Sequence, residues 1–160
     1  MKIEKQVISL KEAKRLAELL GDDAPGSLWV WSQIDGYGTW GVVLRDAYNK
    51  NPFMHIACEC LPAYTGEELW ALLPICLNMF DGNKYVYLSA KHTYDGAAFC
   101  GYYNDDTSIC NYNHEIGGVL KSKTLKLSLS AKTEVCAKAA LSILLLEQKL
   151  ITPKEFSYEN

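Results

Sequence analysis

No stretch of this chain stays apolar for long. Its longest fully aliphatic run is Ile143 to Leu146, against the roughly 20 residues that a bilayer-spanning helix needs, so no membrane partner is expected. The opening MKIEKQVISLKEAK lacks the apolar segment of a secretion signal. Six cysteines without such a signal are expected as free thiols in the cytosol rather than as a disulfide framework. Excess charge of one sign is missing too. Sixteen basic and nineteen acidic residues leave a net charge of −3, which gives no general attraction to phosphate and argues against a nucleic-acid partner. The Gly-x-Gly-x-x-Gly, P-loop, Gly-x-Ser-x-Gly and His-Glu-x-x-His patterns are all absent, and with them the motif-borne routes to several enzyme classes. No repeat marks a solenoid, and no Pro-rich or Ser-rich linker divides the chain. With 49% hydrophobic and 22% charged residues, positions 1–160 are expected as one folded domain.

Three segments carry helix signals. Ser9 and Glu12 have the spacing of a capping box ahead of the stripe Leu10, Ala13, Leu16, Ala17 and Leu20, and Gly21 supplies a stop. Thr65 and Glu68 repeat the device before Leu69, Leu72 and Leu73, and Pro74 ends that helix. A third helix, from about Thr133 to Leu150, is apolar on a broad surface and is expected at the centre of the core. Between the helices lie strands. LWVWSQ and WGVVLRDA flank Asp35-Gly36-Tyr37-Gly38, a hairpin signal. A two-residue turn at Asp81-Gly82 pairs Leu77 with Val86 and places Ile75, Leu77, Met79, Val86 and Leu88 on one face. The same turn at Asp95-Gly96 pairs His92 with Phe99 and Leu88 with Tyr103, and turns Cys100 outward opposite Lys91. TLKLSLS alternates strictly, with Leu125, Leu127 and Leu129 inward. The expected fold is α+β: an antiparallel meander sheet with helices packed mainly on one face.

Candidate chemistry is sparse. His55, Cys58, Cys60, Cys110 and His114 are the donors from which a zinc site could be drawn. Alternation along FMHIACEC, however, sets His55 against Cys58 and Cys60, which are expected as small buried hydrophobes. No Cys-x2-Cys pair occurs, and no cofactor is implied. Cys100 reads as an incidental surface thiol and His92 as a core-side histidine. Asp105 and Asp106 sit in a turn-like YYNDDTS. Lys121, Lys123, Lys126 and Lys132 read as a solvated strand face. Ten tyrosines and four tryptophans cluster more suggestively: Trp29 and Trp31 on one strand face, and Tyr102, Tyr103 and Tyr112 in a second group. Large amphipathic rings of this kind are enriched at contact surfaces.

The segment LPAYTGEELWALLP, through Leu61, Pro62, Ala63, Thr65, Leu69, Leu73 and Pro74, resembles a motif of small uncharacterised proteins carried by bacterial phages and integrated elements. The layout is similar too: a leading helix, a strand block and a closing Ala/Leu-rich helix. This chain departs from it in having more strands and cysteines. The resemblance implies a small cytosolic protein, phage-derived in origin, and carries over no catalytic residue. The expectation is therefore a non-enzymatic interaction or accessory protein. It would act on itself or on a protein partner through Trp29, Trp31, Tyr102, Tyr103 and Tyr112. Metal-dependent or thiol-dependent activity at the Cys/His set is the alternative.

Overall fold

The computed structural model describes residues 3–34, 38–51, 59–79, 84–92, 98–103, 110–111, 119–120, 128–131 and 133–158. Helix α1 (Leu10–Leu20) begins where its cap dictates. The Ser9 N–H donates to Glu12 Oε2 at 2.8 Å, and the Glu12 N–H donates back to Ser9 Oγ at 3.3 Å. Ala13, Leu16 and Leu20 bury its inner stripe, and Gly21, at a φ of 56° that side-chain-bearing residues rarely adopt, ends it.

A first sheet follows, with β1 (Trp29–Gln33) between β2 (Trp40–Leu44) and β3 (Cys60–Pro62), all antiparallel. Trp29 pairs with Leu44, Trp31 with Val42 and with Leu61, and Gln33 with Trp40. The hairpin is as expected, but the second strand stops sooner. Arg45–Lys50 forms the short helix α2 in place of the expected strand tail, and the turn buries Tyr48. Beyond β3, the Thr65/Glu68 capping box opens helix α3 (Gly66–Leu72), whose Leu69 and Leu72 are fully buried along with Leu73. The stretch from Cys60 to Pro74 is thus a strand end feeding a capped helix.

The second sheet runs β4 (Cys76–Met79), β5 (Lys84–His92), β6 (Ala98–Tyr103) and β9 (Ser128–Ala131), again antiparallel. Between β6 and β9 the chain forms a separate hairpin, β7 (Cys110–Asn111) with β8 (Val119–Leu120). The single meander expected from the sequence is therefore divided between two sheets and this excursion. Leu77 pairs with Val86, as the Asp81-Gly82 turn predicts. Ile75 lies outside that pairing and is 66% exposed rather than on the core face. The next register is displaced by one residue from expectation: Leu88 pairs with Tyr102 and His92 with Ala98. The buried set on β6 is consequently Ala98, Cys100 and Tyr102. Tertiary packing outweighs turn preference here, because small residues at 98 and 100 admit the alanine-rich helix that lies against this strand.

That helix is α4 (Glu134–Glu147), capped by the Thr133 hydroxyl. It buries Val135, Ala137, Ala139, Leu141, Leu145 and Leu146, more than one face could supply, and packs against α1, α3, β6 and β9. Arg15 on α1 grips its far end through two bonds to Glu147 Oε1, at 2.8 and 2.7 Å. The protein is an α+β fold in which one buried cluster joins α1, β3, α3, β6 and α4, with Phe156 from the tail completing it. Among the described residues, no helix is long and apolar enough to cross a membrane.

Candidate functional site

The aromatic residues singled out from the sequence go to different places. Trp31 is half-buried against the core, and its indole N–H donates to the Ile8 carbonyl at 2.9 Å, so it fastens β1 to the start of α1. Trp29 is half-buried on the same strand face, across from Leu44. Tyr102 is 1% exposed and donates its hydroxyl to the Pro74 carbonyl at 2.6 Å, which places it in the core and not on a surface. Tyr103 ends β6, paired with Tyr87, and Tyr112 lies outside the described residues. Of the described rings, Trp29 and Trp31 thus share one strand face, as expected, while Tyr102 is in the core.

Of the candidate donors, His55, Cys58 and His114 lie outside the described residues, Cys110 pairs with Leu120, and Cys60 is exposed rather than buried. Cys60 is turned out because it opens β3 as an edge residue paired only with Ser32. Among the described residues, no three of His, Cys, Asp or Glu are grouped to hold a metal ion. The lysines at 121, 123, 126 and 132 and the carboxylates at 105 and 106 also lie outside them. Cys100 is fully buried, because the register turns it inward. Burial pushes its thiol up to about 12, with the nearby Lys138 charge opposing only in part. The protonated thiol is a packing group at neutral pH, not a nucleophile.

Two constellations stand out that the sequence patterns do not show. In the first, Lys138 is buried within α4 and ion-paired to Glu134 one turn earlier. Its ammonium lies 4.8 Å from the centre of the Trp70 ring of α3. The helices meet closely here, since a Cβ on Gly66 would stand 3.8 Å from the Lys138 Nζ. A lone lysine inside VCAKAALSILLL, with an acid four residues before it, is a sequence signal that could have revealed the pair.

The second constellation pins a loop. The Pro25 carbonyl accepts from the Tyr64 hydroxyl at 2.6 Å, the Gly26 carbonyl from the Tyr158 hydroxyl at 2.9 Å, and the Ser27 carbonyl from Arg45 Nε at 2.7 Å. The Leu28 carbonyl takes the Arg45 N–H at 3.0 Å, and the Leu28 N–H donates to Glu68 Oε1 at 2.7 Å. Glu68 serves twice, since its Oε2 accepts the Thr65 N–H at 2.7 Å in the α3 cap. Burial raises the titration of both tyrosines, and Glu68 raises it further while Arg45 opposes. Both hydroxyls therefore stay protonated donors well into alkaline pH.

This strap holds the entry to β1 in one conformation while leaving apolar side chains in water. Leu28 is 61% exposed, Ile34 at the far end of the β1–β2 ribbon 53%, and Leu44 at the end of β2 41%. Leu28 and Ile34 share strand parity with Val30, whereas Leu44 lies across from Trp29 on the other face. The exposed apolar groups therefore flank both faces of the ribbon. Comparison with protein-family models, curated proteins and solved structures finds no match for this chain.

Proposed function

We propose that the chain is a non-enzymatic interaction protein whose contact surface is the β1–β2 ribbon, engaged along the β2 edge by another polypeptide. The observation that carries this reading is the exposure of Leu28, Ile34 and Leu44 on a backbone held by the loop bonds described above. Such side chains add little ordering cost when they bind, because their backbone is already fixed. Apolar groups on both faces favour a partner that approaches the edge, since a partner laid on one face would leave the other wet. Full burial of each leucine or isoleucine would contribute about 1.5–3 kcal/mol before association costs. An exposed strand edge also accepts an extended segment through main-chain bonds. A cytosolic setting and an accessory role accord with the sequence expectations and with the phage-type resemblance of the Leu61–Pro74 segment.

The test is selection of binders from a displayed library of extended peptides, followed by hydrogen exchange on the complex. Protection of the amides at Trp40, Val42 and Leu44, with binding lost in Leu44→Lys, is the expected outcome. Binders that protect other segments and ignore Leu44→Lys would refute the assignment of the contact surface.

A further inference from the structure

We infer that the polypeptide on the β2 edge is a second copy of this chain, joined by antiparallel β2–β2 pairing about a two-fold axis at Val42. The inference rests on the reading of that edge as the contact surface. Strand parity fixes which peptide groups are free to pair. The Ile34 N–H donates to the Thr39 carbonyl and the Arg45 N–H to the Leu28 carbonyl. Pairs 28/45 and 34/39 are thus hydrogen-bonded, as are 30/43 and 32/41 between them. The peptide groups of Trp40, Val42 and Leu44 therefore point away from β1, and no described strand lies on that side.

A two-fold axis at Val42 sets Val42 against the partner's Val42 and Trp40 against the partner's Leu44. All three outward residues then form hydrogen-bonded pairs, roughly six bonds in total. An axis at Gly41 or Val43 would call on peptide groups that already bond β1, and an axis at Trp40 or Leu44 would shorten the overlap. The side chains fit the same register. Each half gains an aromatic–aliphatic pair of Trp40 with the partner's Leu44, which covers a leucine that is 41% exposed in the single chain. Gly41 faces the partner's Val43, small against branched. Trp-Gly-Val-Val-Leu holds no charge and no proline, the usual guards of an edge strand, so no like charges meet across the axis. Lys14, whose ammonium lies 5.0 Å from the Trp40 ring, comes beside the strand end where the partner's Asp46 stands exposed. The interface is isologous, and the assembly closes as a dimer.

The experiment is native mass spectrometry and light scattering of the full chain from low to high micromolar concentration, with three variants. The wild type is expected as a dimer. Val42→Pro removes an N–H that β1 does not use, and should weaken association roughly tenfold or more while circular dichroism holds and the thermal midpoint is unchanged at concentrations low enough for both proteins to be monomeric. Leu44→Lys leaves the backbone untouched and should do the same. Val43→Pro removes a donor to β1 and should lower the midpoint. A wild type monomeric throughout overturns the dimer; if it still binds edge-directed peptides, the contact surface itself stands. A dimer indifferent to both Val42→Pro and Leu44→Lys overturns the pairing and the edge assignment together.

Discussion

Replacing Glu134 by Gln should cost more than replacing Lys138 by Met, although the lysine is the buried member of the pair. Lys138 has 6% of its side chain exposed and Glu134 has 41%. Glu134→Gln leaves the ammonium inside beside the Trp70 ring, 4.8 Å away, without the carboxylate that offsets its lost hydration. Removing one partner of a fully buried pair costs about 3–5 kcal/mol. Here the carboxylate side is half open to water, so a loss of about 1–3 kcal/mol is expected. Met in place of Lys138 keeps the unbranched stem against Trp70 and removes the desolvated charge. The net change should then stay within about 1 kcal/mol of zero.

Urea unfolding followed by tryptophan fluorescence and circular dichroism gives the comparison directly. With a slope near 1–3 kcal/mol per molar urea, the Glu134→Gln midpoint should fall by roughly 1 M and the Lys138→Met midpoint should barely move. The double variant should match Lys138→Met, because the strain of Glu134→Gln exists only while the ammonium is present. If Glu134→Gln is silent while Lys138→Met loses more than about 3 kcal/mol, the ion pair is not what holds Lys138 and the account is refuted.

Other consequences follow from the same geometry. Glu68→Ala should destabilise by about 2 kcal/mol, since it removes charge-assisted bonds to both the Thr65 and Leu28 N–H groups; it should also speed hydrogen exchange at Leu28, and exchange unchanged there would contradict the strap. Thiol labelling mapped by mass spectrometry should modify exposed Cys60 in the folded protein and buried Cys100 only on unfolding; early labelling of Cys100 would refute its burial. The Cys100 thiol is raised to about 12 in the fold, whereas an unfolded cysteine ionises near pH 8.5, so its contribution is complete below that pH and is lost between about pH 9 and 12. The stability of the wild type should therefore fall by up to about 1.4 kcal/mol per pH unit above pH 9 relative to Cys100→Ala; parallel pH profiles of the two would show that Cys100 ionises freely in the fold.

What could be read in the sequence was local. Both capping boxes are spaced three residues apart, and both form as read, at Ser9/Glu12 and Thr65/Glu68. The β4–β5 register followed from the Asp81-Gly82 turn and the alternation around it. The β5–β6 register did not, because α4 lies against β6 from more than thirty positions further along the chain and selects Ala98, Cys100 and Tyr102 for the inside. The loop strap was invisible for the same reason. Tyr158 reaches Gly26 across 132 positions and Tyr64 reaches Pro25 across 39, and no periodicity ties a hydroxyl to a backbone carbonyl at such distances. Aromatic count suggested a contact surface, but Tyr102 and Trp31 spend their rings on the core and their polar tips on Pro74 and Ile8.

The ribbon and the α4 core obey different constraints, and the difference bears on what the ribbon is for. Within the core, residue type follows from packing: Ala137, Ala139, Leu141 and Leu145 are fully enclosed, so a polar group there would need a partner, as Lys138 has. The β1–β2 ribbon is fastened to that core through β1, by its pairing with β3, by buried Val30 and half-buried Trp31, and by the bonds of Trp31 to Ile8, Tyr64 to Pro25 and the Leu28 N–H to Glu68. Side chains that face solvent on the ribbon are thus uncoupled from the core, and folding alone would accept Lys, Glu or Thr at 28, 34 and 44. Isolated apolar residues in water are ordinary. Of the five large hydrophobic residues that are exposed among those described, however, Leu28, Ile34 and Leu44 flank this ribbon, and Tyr158 bonds the loop that feeds it. Apolar residues held where the fold does not require them, beside an uncharged strand edge, are what the proposed edge contact would cover.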